Sequence, residues 1–359
     1  MGPRVMVTAG GTGGHVFPAL AVAEELRNRG MEVFWLGTPH GLESRLVPEH
    51  GFRMERVSIQ GLRGKGSLRW LAAPFRLSFA LLQTMRVLLR TRPRLVLAMG
   101  GFVTGPGGLM ARLLGIPLVI HEQNAIPGMT NQWLSRIATR VLEAFPGSFD
   151  KSRAAQITGN PVRTEITGLP DPQVRMAGRS DPLRLLVLGG SLGAQVLNEV
   201  VPAALSLIDP SRRPQVRHQA GHDKLEPARA AYLQAGVEAD VNAFVEDMAE
   251  AYSWADLVIC RAGALTIAEL AVAGVGAILV PYPHAVDDHQ TRNARYLSDS
   301  GAALLLPQPE LSADGLVTRL RPLLQDRRKV LDMALAARRQ GHPGATSAVA
   351  DVCQQVVSQ

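Results

Sequence analysis

The sequence predicts an α/β protein made of two doubly wound parallel-sheet domains. The first observation behind this prediction is that short apolar, β-rich runs alternate with helical patterns along the whole chain. The second is that a glycine-rich turn joins a strand pattern to a helix pattern twice, at residues 10–14 and 189–193. The third is a proline-rich stretch with little apolar periodicity, which separates the two halves. Each half therefore has the pattern of consecutive βαβ units.

The first half opens with a strand, a glycine turn and a helix, "RVMVTAG" to "PALAVAEELRNRG". Further strands are predicted in order for "MEVFWLGT", "RLVLAMGG", "IPLVIHEQN" and "TRVLEAF". Near residue 159 the chain changes to "TGNPVRTEITGLPDPQVRMAGRSDP", which has four prolines and little apolar periodicity. We interpret this stretch as the connection between domains.

After this connection the pattern restarts with "LRLLVLGGSLGAQVLNEVVPAAL" and continues through "QVRHQAG", "VNAFVE", "DLVICRAGALTIAEL" and "GAILVPYP". The predicted domains are therefore residues 1–160 and 161–340. A helical tail follows at about 341–359 and can pack on the N-terminal domain. Ligands of such sheets bind beyond the carboxyl ends of the strands, so we expect the two domains to face each other across a cleft.

The composition excludes several classes of protein. The 359 residues are 46% hydrophobic and 19% charged, which is typical of globular domains. Cys260 and Cys353 form neither a disulfide framework nor a metal-ligand pattern, which fits a reducing, cytoplasmic setting. The apolar start is too short for a signal peptide, and no stretch reaches the roughly 20 apolar residues of a membrane span.

The excess of basic over acidic charge is confined to one window between Glu55 and Glu122, which contains no acidic residue. Since the formal net charge is +7 and the window holds ten basic residues, the rest of the chain carries −3. Apolar side chains interleave with these residues in "RWLAAPFRLSFALLQTMRVLLR". This pattern favours binding of the window to an anionic lipid surface. The simpler alternative is a helix face that is exposed to solvent. Nucleic acid is disfavoured, because no binding module is recognisable. The basic residues are Arg56, Arg63, Lys65, Arg69, Arg76, Arg86, Arg90, Arg92, Arg94 and Arg112, and the apolar ones are Trp70, Leu71, Phe75, Phe79, Leu82 and Leu89.

The glycine turns at residues 10–14, 100–108 and 189–193 are candidate phosphate sites, because backbone N–H groups at a helix start bind anions. Tight βα turns without a ligand are the alternative. The first and third turns do not match the dinucleotide fingerprint, and the chain contains no P-loop. No paired aspartates or histidine cluster has metal-ligand spacing, so no metal or other cofactor is predicted.

A second kind of helix start is "RAGALTIAELAVAG", where three amides are available for a diphosphate and Glu269 lies a turn further on. A carboxylate there can accept hydrogen bonds from a ribose, although it also simply suits the helix dipole. Arg163 can pair with phosphate. His289 and Gln290 in "DDHQTRNA" can contact sugar hydroxyls or belong to an exposed loop.

His15 stands at the mouth of the first glycine turn. An imidazole titrates near about 6.5, so it can accept a proton at neutral pH from a hydroxyl lying against the turn. The alternative is a histidine that caps the helix or orients a phosphate.

Eight stretches together resemble the family of peptidoglycan N-acetylglucosaminyltransferases, in order along nearly the full chain. They are "GGTGGHVFPALAVAEEL", "GLRGKG", "MGGFVTGPGG", "HEQNAIPG", "GNPVR", "GGSLGAQVLN", "CRAGALTIAE" and "DDHQTRNA". The resemblance implies a GT-B fold with two Rossmann-like domains. It also implies inverting, metal-independent transfer of N-acetylglucosamine from UDP-N-acetylglucosamine to undecaprenyl-pyrophosphoryl-N-acetylmuramoyl-pentapeptide (lipid I), which makes lipid II through a β-1,4 linkage.

Carried over residue by residue, the resemblance makes His15 the candidate base. Ser191 and Arg163 hold the diphosphate, the main chain at Val245 meets the uracil, and Glu269 binds the ribose. Asn124 and Gln290 contact the sugar. The residues expected to bind UDP-N-acetylglucosamine are Thr12, Gly13, Gly14, Asn124, Arg163, Ser191, Val245, Ala264, Leu265, Thr266, Ile267, Ala268, Glu269 and Gln290.

The resemblance also implies peripheral attachment at the cytoplasmic face of the bacterial inner membrane, and partners among cell-wall synthesis and division proteins. The chain departs from the family at His289, where the family often has glutamine. Two other functions stay open at this point. One is a UDP-N-acetylglucosamine epimerase, which needs no lipid acceptor. The other is a membrane-attached nucleotide-binding module without catalysis.

Overall fold

The structure is a computed structural model that describes residues 2–59, 73–180, 182–190 and 192–359. Two compact units are present. Unit 1 comprises residues 1–163 and 343–359, and unit 2 comprises residues 164–342. Over these residues, each unit contains one parallel β-sheet with helices between its strands.

Unit 1 contains a seven-stranded sheet in the part of the chain described, with the order β3-β2-β1-β4-β5-β6-β7. All its strand pairs are parallel. The first six strands follow the classic dinucleotide-fold order. The strands are β1 (Arg4–Thr8), β2 (Glu32–Gly37), β3 (Arg53–Arg56), β4 (Leu95–Ala98), β5 (Leu118–Glu122), β6 (Arg140–Glu143) and β7 (Gln156–Ile157). The helices are α1 (Gly13–Asn28), α2 (Glu43–Glu49), α3 (Ala73–Thr91), α4 (Thr104–Leu113) and α5 (Met129–Leu134).

The central strands of unit 1 are buried on both faces, which explains their continuous apolar sequences. Successive side chains of a strand point to opposite faces. Accordingly Val5 and Val7 of β1 pack in one core cluster with α1, while Met6 between them packs in a second cluster with α3 and α4. Helices therefore cover both faces and leave the strand ends as the accessible edge.

Among its described residues, unit 2 contains a six-stranded parallel sheet with the order β10-β9-β8-β11-β12-β13, which is the same winding. The strands are β8 (Arg184–Leu188), β9 (Gln215–Gln219), β10 (Asp240–Asn242), β11 (Leu257–Cys260), β12 (Gly276–Leu279) and β13 (Ala303–Leu305). The helices are α6 (Thr164–Thr167), α7 (Pro172–Met176), α8 (Gln195–Ser206), α9 (Leu225–Gln234), α10 (Met248–Trp254), α11 (Ala264–Ala273), α12 (His289–Ser298), α13 (Ala313–Leu324) and α14 (Arg327–Gln340).

The C-terminal helix α15 (Ala345–Ser358) packs on α1 and so belongs to unit 1. Its buried Val349, Val352, Cys353 and Val356 have the spacing of one helix face. Arg29, at the end of α1, donates hydrogen bonds to side chains of this helix. An apolar stripe on α15 thus completes the core beneath β1 and β4.

The proline-rich stretch is not a free connection along its whole length. The division between the units falls after Arg163, and α6 and α7 both lie in unit 2. The guanidinium of Arg175 donates hydrogen bonds to the carbonyls of Ala273 and Gly274 at the end of α11. Burial lowers the pKa of Arg175 to about 10, so this side chain still carries its charge while it anchors the segment.

Both cysteines are buried and unbridged, and burial raises the pKa of each thiol to about 12. Neither thiol is therefore a nucleophile at neutral pH. None of the helices in the described residues is long and apolar enough to cross a membrane.

Candidate active site

The first glycine turn lies at the carboxyl end of β1, where the sheet order predicts a ligand site. Gly11 has a φ of 93°, a conformation that side chains other than glycine rarely adopt. Helix α1 begins at Gly13 after the extended Thr12. The N–H groups of Gly13 and Gly14 thus lie in the first turn, where the helix itself supplies no acceptor.

The carboxylate of Glu43 holds this turn in place, which sequence reasoning missed. Its Oε2 accepts the N–H of Gly11 at 3.0 Å, and its Oε1 accepts the N–H and hydroxyl of Thr38 at 3.0 and 2.6 Å. Glu43 is fully buried. A methyl group on Gly10 or Gly41 would lie within 2.7 Å of its oxygens, so glycines make the room for it. The N–H of Gly11 is therefore used inside the protein and is not available to a phosphate.

The second glycine turn packs directly on the first. The N–H of Gly10 donates to the carbonyl of Gly100 at 3.2 Å. A methyl group on Gly101 would lie 2.3 Å from the Gly10 carbonyl oxygen, and one on Gly100 would lie 2.4 Å from Nδ1 of His15. The glycines of this turn are thus explained by close approach, with the His15 ring resting on Gly100.

His15 is hydrogen-bonded to Gln123, which precedes Asn124 in the motif "HEQN". Its Nδ1 lies 2.9 Å from Oε1 of Gln123, and Nε2 of Gln123 lies 3.1 Å from Nδ1 of His121. His121 in turn places Nε2 3.0 Å from the carbonyl of Gly159. Burial lowers the pKa of His121 to about 4, although this hydrogen bond acts in the opposite direction. The motif was predicted through Asn124 alone, so Gln123 and His121 are additions from the structure.

Glu122 organises the loop that carries Asn124. Its Oε1 accepts both the backbone and the side-chain N–H of Asn124, and its Oε2 accepts the N–H of Gly128 and the amide of Asn131. Glu143 accepts two backbone N–H groups after β6 in the same manner. Both carboxylates anchor loops, because each of their oxygens accepts at least one hydrogen bond from the loop.

Arg163 is the last residue of the first segment of unit 1 and lies near the first glycine turn. Its guanidinium carbon is 5.7 Å from the centre of the Phe17 ring. The same ring borders Gly13, where an added methyl group would lie 3.0 Å from it. The structure therefore places a cation on the same edge as Thr12, Gly13 and Gly14.

In unit 2 the third glycine turn follows β8, but Ser191 lies outside the described residues. Next to it, a methyl group on Gly193 would lie 1.8 Å from the carbonyl oxygen of Ala220 after β9. Lys224 donates from Nζ to the carbonyls of Leu192 and Gly193. Close approach of two loops again requires the glycine, and a lysine lies at the turn.

Helix α11 presents the predicted first turn at the carboxyl end of β11. Gly263 is its N-cap, and the first helical hydrogen bond runs from the N–H of Ile267 to the Gly263 carbonyl. The N–H groups of the preceding Ala264, Leu265 and Thr266 thus have no acceptor within the helix. Ala268 and Glu269 follow in the same helix, and the Glu269 carboxylate accepts the hydroxyl of Tyr252 at 3.1 Å.

Gln290 and Val245 also lie in unit 2, each with one group already engaged. The side-chain oxygen of Gln290 accepts the N–H groups of Ala262 and Tyr282, so its amide nitrogen is the atom that can donate to a ligand. The N–H of Val245 donates to Oε1 of Gln219 at 2.9 Å. His289 is the first residue of α12.

Thr12, Gly13, Gly14, His15, Asn124 and Arg163 therefore lie together in unit 1, and Val245, residues 264–269 and Gln290 lie in unit 2. Within the described ranges, histidine, cysteine and acidic side chains form no group of three or more that could hold a metal ion.

Comparison with known families decides the assignment. Residues 5–143 match the N-terminal domain of glycosyltransferase family 28, and residues 184–356 match its C-terminal domain. The chain belongs to glycosyltransferase family 28. The predicted enzyme class and the predicted GT-B architecture of two Rossmann-like domains are confirmed.

Relatives of this family 28 glycosyltransferase match it end to end. A protein of Marinobacter nauticus is 56% identical over 355 residues, which cover 99% of this chain and 98% of that protein. One of Nitrosococcus oceani is 55% identical over 358 residues, covering 100% of both. Both are named UDP-N-acetylglucosamine–N-acetylmuramyl-(pentapeptide) pyrophosphoryl-undecaprenol N-acetylglucosamine transferase. These matches confirm the family resemblance inferred from the motifs.

Solved structures are also similar to this chain over nearly its full length. The crystal structure of Acinetobacter baumannii MurG is 44% identical, with a TM-score of 0.85 and coverage of 98% of this chain and 99% of that one. The UDP-GlcNAc 2-epimerase of Neisseria meningitidis covers 98% of this chain and 100% of its own, with a TM-score of 0.67, but is 11% identical. That second likeness shows the fold alone.

Proposed function

We propose that this glycosyltransferase transfers N-acetylglucosamine from UDP-N-acetylglucosamine to the 4-hydroxyl of the N-acetylmuramoyl residue of lipid I, making lipid II. The observation that carries the proposal is the match over 99% of the chain to relatives more than half identical that bear this activity as their name. The epimerase alternative has only a shared fold in its favour.

The donor is bound by unit 2 in this proposal. The diphosphate lies against the N–H groups of Ala264, Leu265 and Thr266, where the positive end of the helix dipole favours an anion. The ribose hydroxyls donate to Glu269, whose orientation is set by the Tyr252 hydroxyl. Because the N–H of Val245 is engaged by Gln219, its carbonyl is the group that we place against the uracil. Gln290 donates to the sugar.

The leaving diphosphate is stabilised by these N–H groups and by Arg163, with Ser191 as a further ligand and no metal ion. In many enzymes, hydrogen-bond donors and charges that are already positioned to stabilise the developing negative charge make the largest single contribution to the rate enhancement. Turnover that disappears when a chelator removes divalent cations contradicts this part of the proposal.

Unit 1 supplies the base. His15 accepts the proton of the acceptor hydroxyl as its oxygen attacks the anomeric carbon and UDP departs with the bonding electrons. The carboxylates of Glu43 and Glu122 are engaged by backbone donors, which leaves the imidazole as the candidate. Gly13 and Gly14, which follow Thr12, let the acceptor approach without a side-chain wall.

The membrane surface is part of the same proposal. Phe75, Phe79, Leu82 and Leu89 are exposed and recur at spacings of three, four or seven along α3, so they form one apolar face. Helix α4 packs on α3, and helix α5 packs on α4. Both α4 and α5 add exposed apolar side chains. Those side chains are Leu109, Leu113, Met129 and Trp133.

Exposed arginines border this apolar face, among them Arg76, Arg86 and Arg112. Each contributes about 1 kcal/mol near an anionic leaflet, enough for reversible adsorption. We place this attachment at the cytoplasmic face of the inner membrane. Arg63, Lys65, Arg69, Trp70 and Leu71 of the predicted window lie outside the described residues.

The test is transfer with purified protein, UDP-N-acetylglucosamine and a short-chain lipid I analogue. We expect one UDP released for each N-acetylglucosamine joined through a β-1,4 linkage, and no product from the donor alone. An epimerised sugar formed without acceptor identifies the epimerase instead, and UDP binding without transfer identifies the non-catalytic module. His15→Ala is expected to lower kcat by about 10²- to 10⁴-fold. His50→Ala, at an exposed histidine in unit 1, is the matched control.

A further inference from the structure

His15 is tied to the interior of unit 1 by a chain of three hydrogen bonds. The chain runs from His15 Nδ1 to the Gln123 amide, then to His121 Nδ1, and ends where His121 Nε2 meets the Gly159 carbonyl. Gln123 is 1% exposed and His121 fully buried, whereas His15 is only partly buried. The proposed base is therefore linked by hydrogen bonds to two side chains, Gln123 directly and His121 through Gln123, that are buried from solvent.

The protons in this chain can be assigned from the inside outward. A carbonyl oxygen only accepts, so His121 must donate from Nε2 to Gly159. The burial that lowers the pKa of His121 keeps this ring neutral at pH 7, so Nδ1 has no proton and accepts. The group of Gln123 that faces it must then be the NH₂. A second acceptor, the His121 carbonyl at 3.3 Å, lies against the same nitrogen and requires the same orientation.

This orientation leaves one arrangement for His15. With its NH₂ turned inward, Gln123 presents its oxygen to Nδ1 of His15. An oxygen acceptor requires that Nδ1 carry the proton, so in neutral His15 the lone pair is on Nε2. Among the described residues Nε2 has no hydrogen-bond partner. The ring also rests on Gly100, which limits its rotation.

We propose that Gln123 and His121 are positioning residues that hold His15 as the Nδ1–H tautomer, so that Nε2 is the atom that takes the proton from the acceptor hydroxyl. This inference rests on the proposed function. In the step itself the O–H bond of the acceptor breaks, its proton moves to Nε2, and the oxygen bonds to the anomeric carbon. The bond from that carbon to UDP breaks with its electrons on UDP. His15 then carries both protons, and its Nδ1–H still donates to Gln123.

The tautomer is measured directly with ¹⁵N-histidine-labelled protein by multiple-bond ¹⁵N–¹H correlation at neutral pH, with the His15 signals assigned through their loss in His15→Asn. We expect the pattern of an Nδ1–H imidazole for His15 and of an Nε2–H imidazole for His121. His15 protonated on Nε2 in the wild-type protein overturns the proposal, and this readout requires no activity.

Two variants connect the tautomer to turnover. Gln123→Leu removes the oxygen, so we expect His15 to lose its single tautomer and kcat to fall about tenfold to a hundredfold, within the range of general-base catalysis, at unchanged KM for UDP-N-acetylglucosamine. Gln123→Glu, when its carboxyl is protonated, donates its hydroxyl to Nδ1 of His121 and presents its carbonyl oxygen to Nδ1 of His15, so the tautomer is retained and kcat exceeds that of Gln123→Leu.

Thermal unfolding of both variants verifies that they fold. Equal kcat in wild type and Gln123→Leu overturns the positioning role. An Nδ1–H tautomer in an enzyme whose His15→Ala variant keeps full turnover instead refutes the proposed base, so the two failures are distinguishable.

Discussion

Glu43→Gln is expected to destabilise unit 1 and loosen the first glycine turn, although the two side chains have nearly the same shape. The carboxylate accepts three hydrogen bonds, two from Thr38 on one oxygen and one from Gly11 on the other. An amide has one oxygen. If it stays with Thr38, the new NH₂ faces the N–H of Gly11, and two donors meet.

The magnitude follows from these contacts. Leaving a buried donor without its acceptor costs about 1–3 kcal/mol, and hydrogen bonds to a charged acceptor are stronger than those to a neutral one. Gly11 is exposed, so water can replace part of its lost bond. We therefore expect the unfolding free energy of unit 1 to fall by about 2 kcal/mol.

Urea unfolding and hydrogen exchange of the peptide spanning residues 9–16 measure this effect. Trp35 is a suitable fluorescent reporter, since its Nε1 donates to the Ala9 carbonyl beside the turn. Exchange at Gly11 is expected to accelerate, and kcat to fall at unchanged KM for UDP-N-acetylglucosamine. Glu49→Gln is the control, because Glu49 is exposed on the same helix and 4.0 Å from its ion-pair partner. Unfolding and exchange equal to wild type in Glu43→Gln refute the reasoning.

Three further outcomes are expected. Tyr252→Phe removes one hydrogen bond to Glu269, so KM for UDP-N-acetylglucosamine rises about threefold to tenfold in steady-state assays, and an unchanged KM contradicts the ribose site. Phe79→Ser lowers binding to phosphatidylglycerol vesicles in sedimentation, whereas Leu233→Ser, at an 83% exposed leucine of unit 2, does not; equal losses exclude the α3 face. His218 is neutral in the fold, because burial lowers its pKa to about 3, while the unfolded chain protonates it near about 6.5. Between about pH 6 and about pH 3, stability in urea therefore falls by about 1.4 kcal/mol for each pH unit from this residue, a slope that His218→Gln removes.

The fold was predictable where the chain has continuous apolar strands, since a strand buried on both faces needs such a run. Three strands were not predicted. The sequence of β3, "RMER", is polar, β7 has two residues, and β13 lies at the sheet edge. Edge strands bury less apolar surface, so their sequences carry a weaker signal. Helix α7 was not predicted either, because its place in unit 2 depends on a distant contact, in which Arg175 reaches the end of α11.

The candidate site divides in the same way. Glycine turns, the first turn of α11 and His15 are local features, because a helix start or a positive φ is set by a few consecutive residues. Sequence reasoning missed Glu43, Gln123 and Tyr252. For Gln123 the motif "HEQN" was a signal that could have been used further. For Tyr252 we find none.

What the sequence by itself determined is the α/β class, the positions of the turns that can meet a ligand, and the family. Only the tertiary structure decided which side chains support those turns. His15 meets Gln123 across 108 residues, and Gly11 meets Glu43 across 32. Local conformation depends on neighbouring residues, whereas a hydrogen bond between distant ones depends on the strand order that brings several strand ends to one edge.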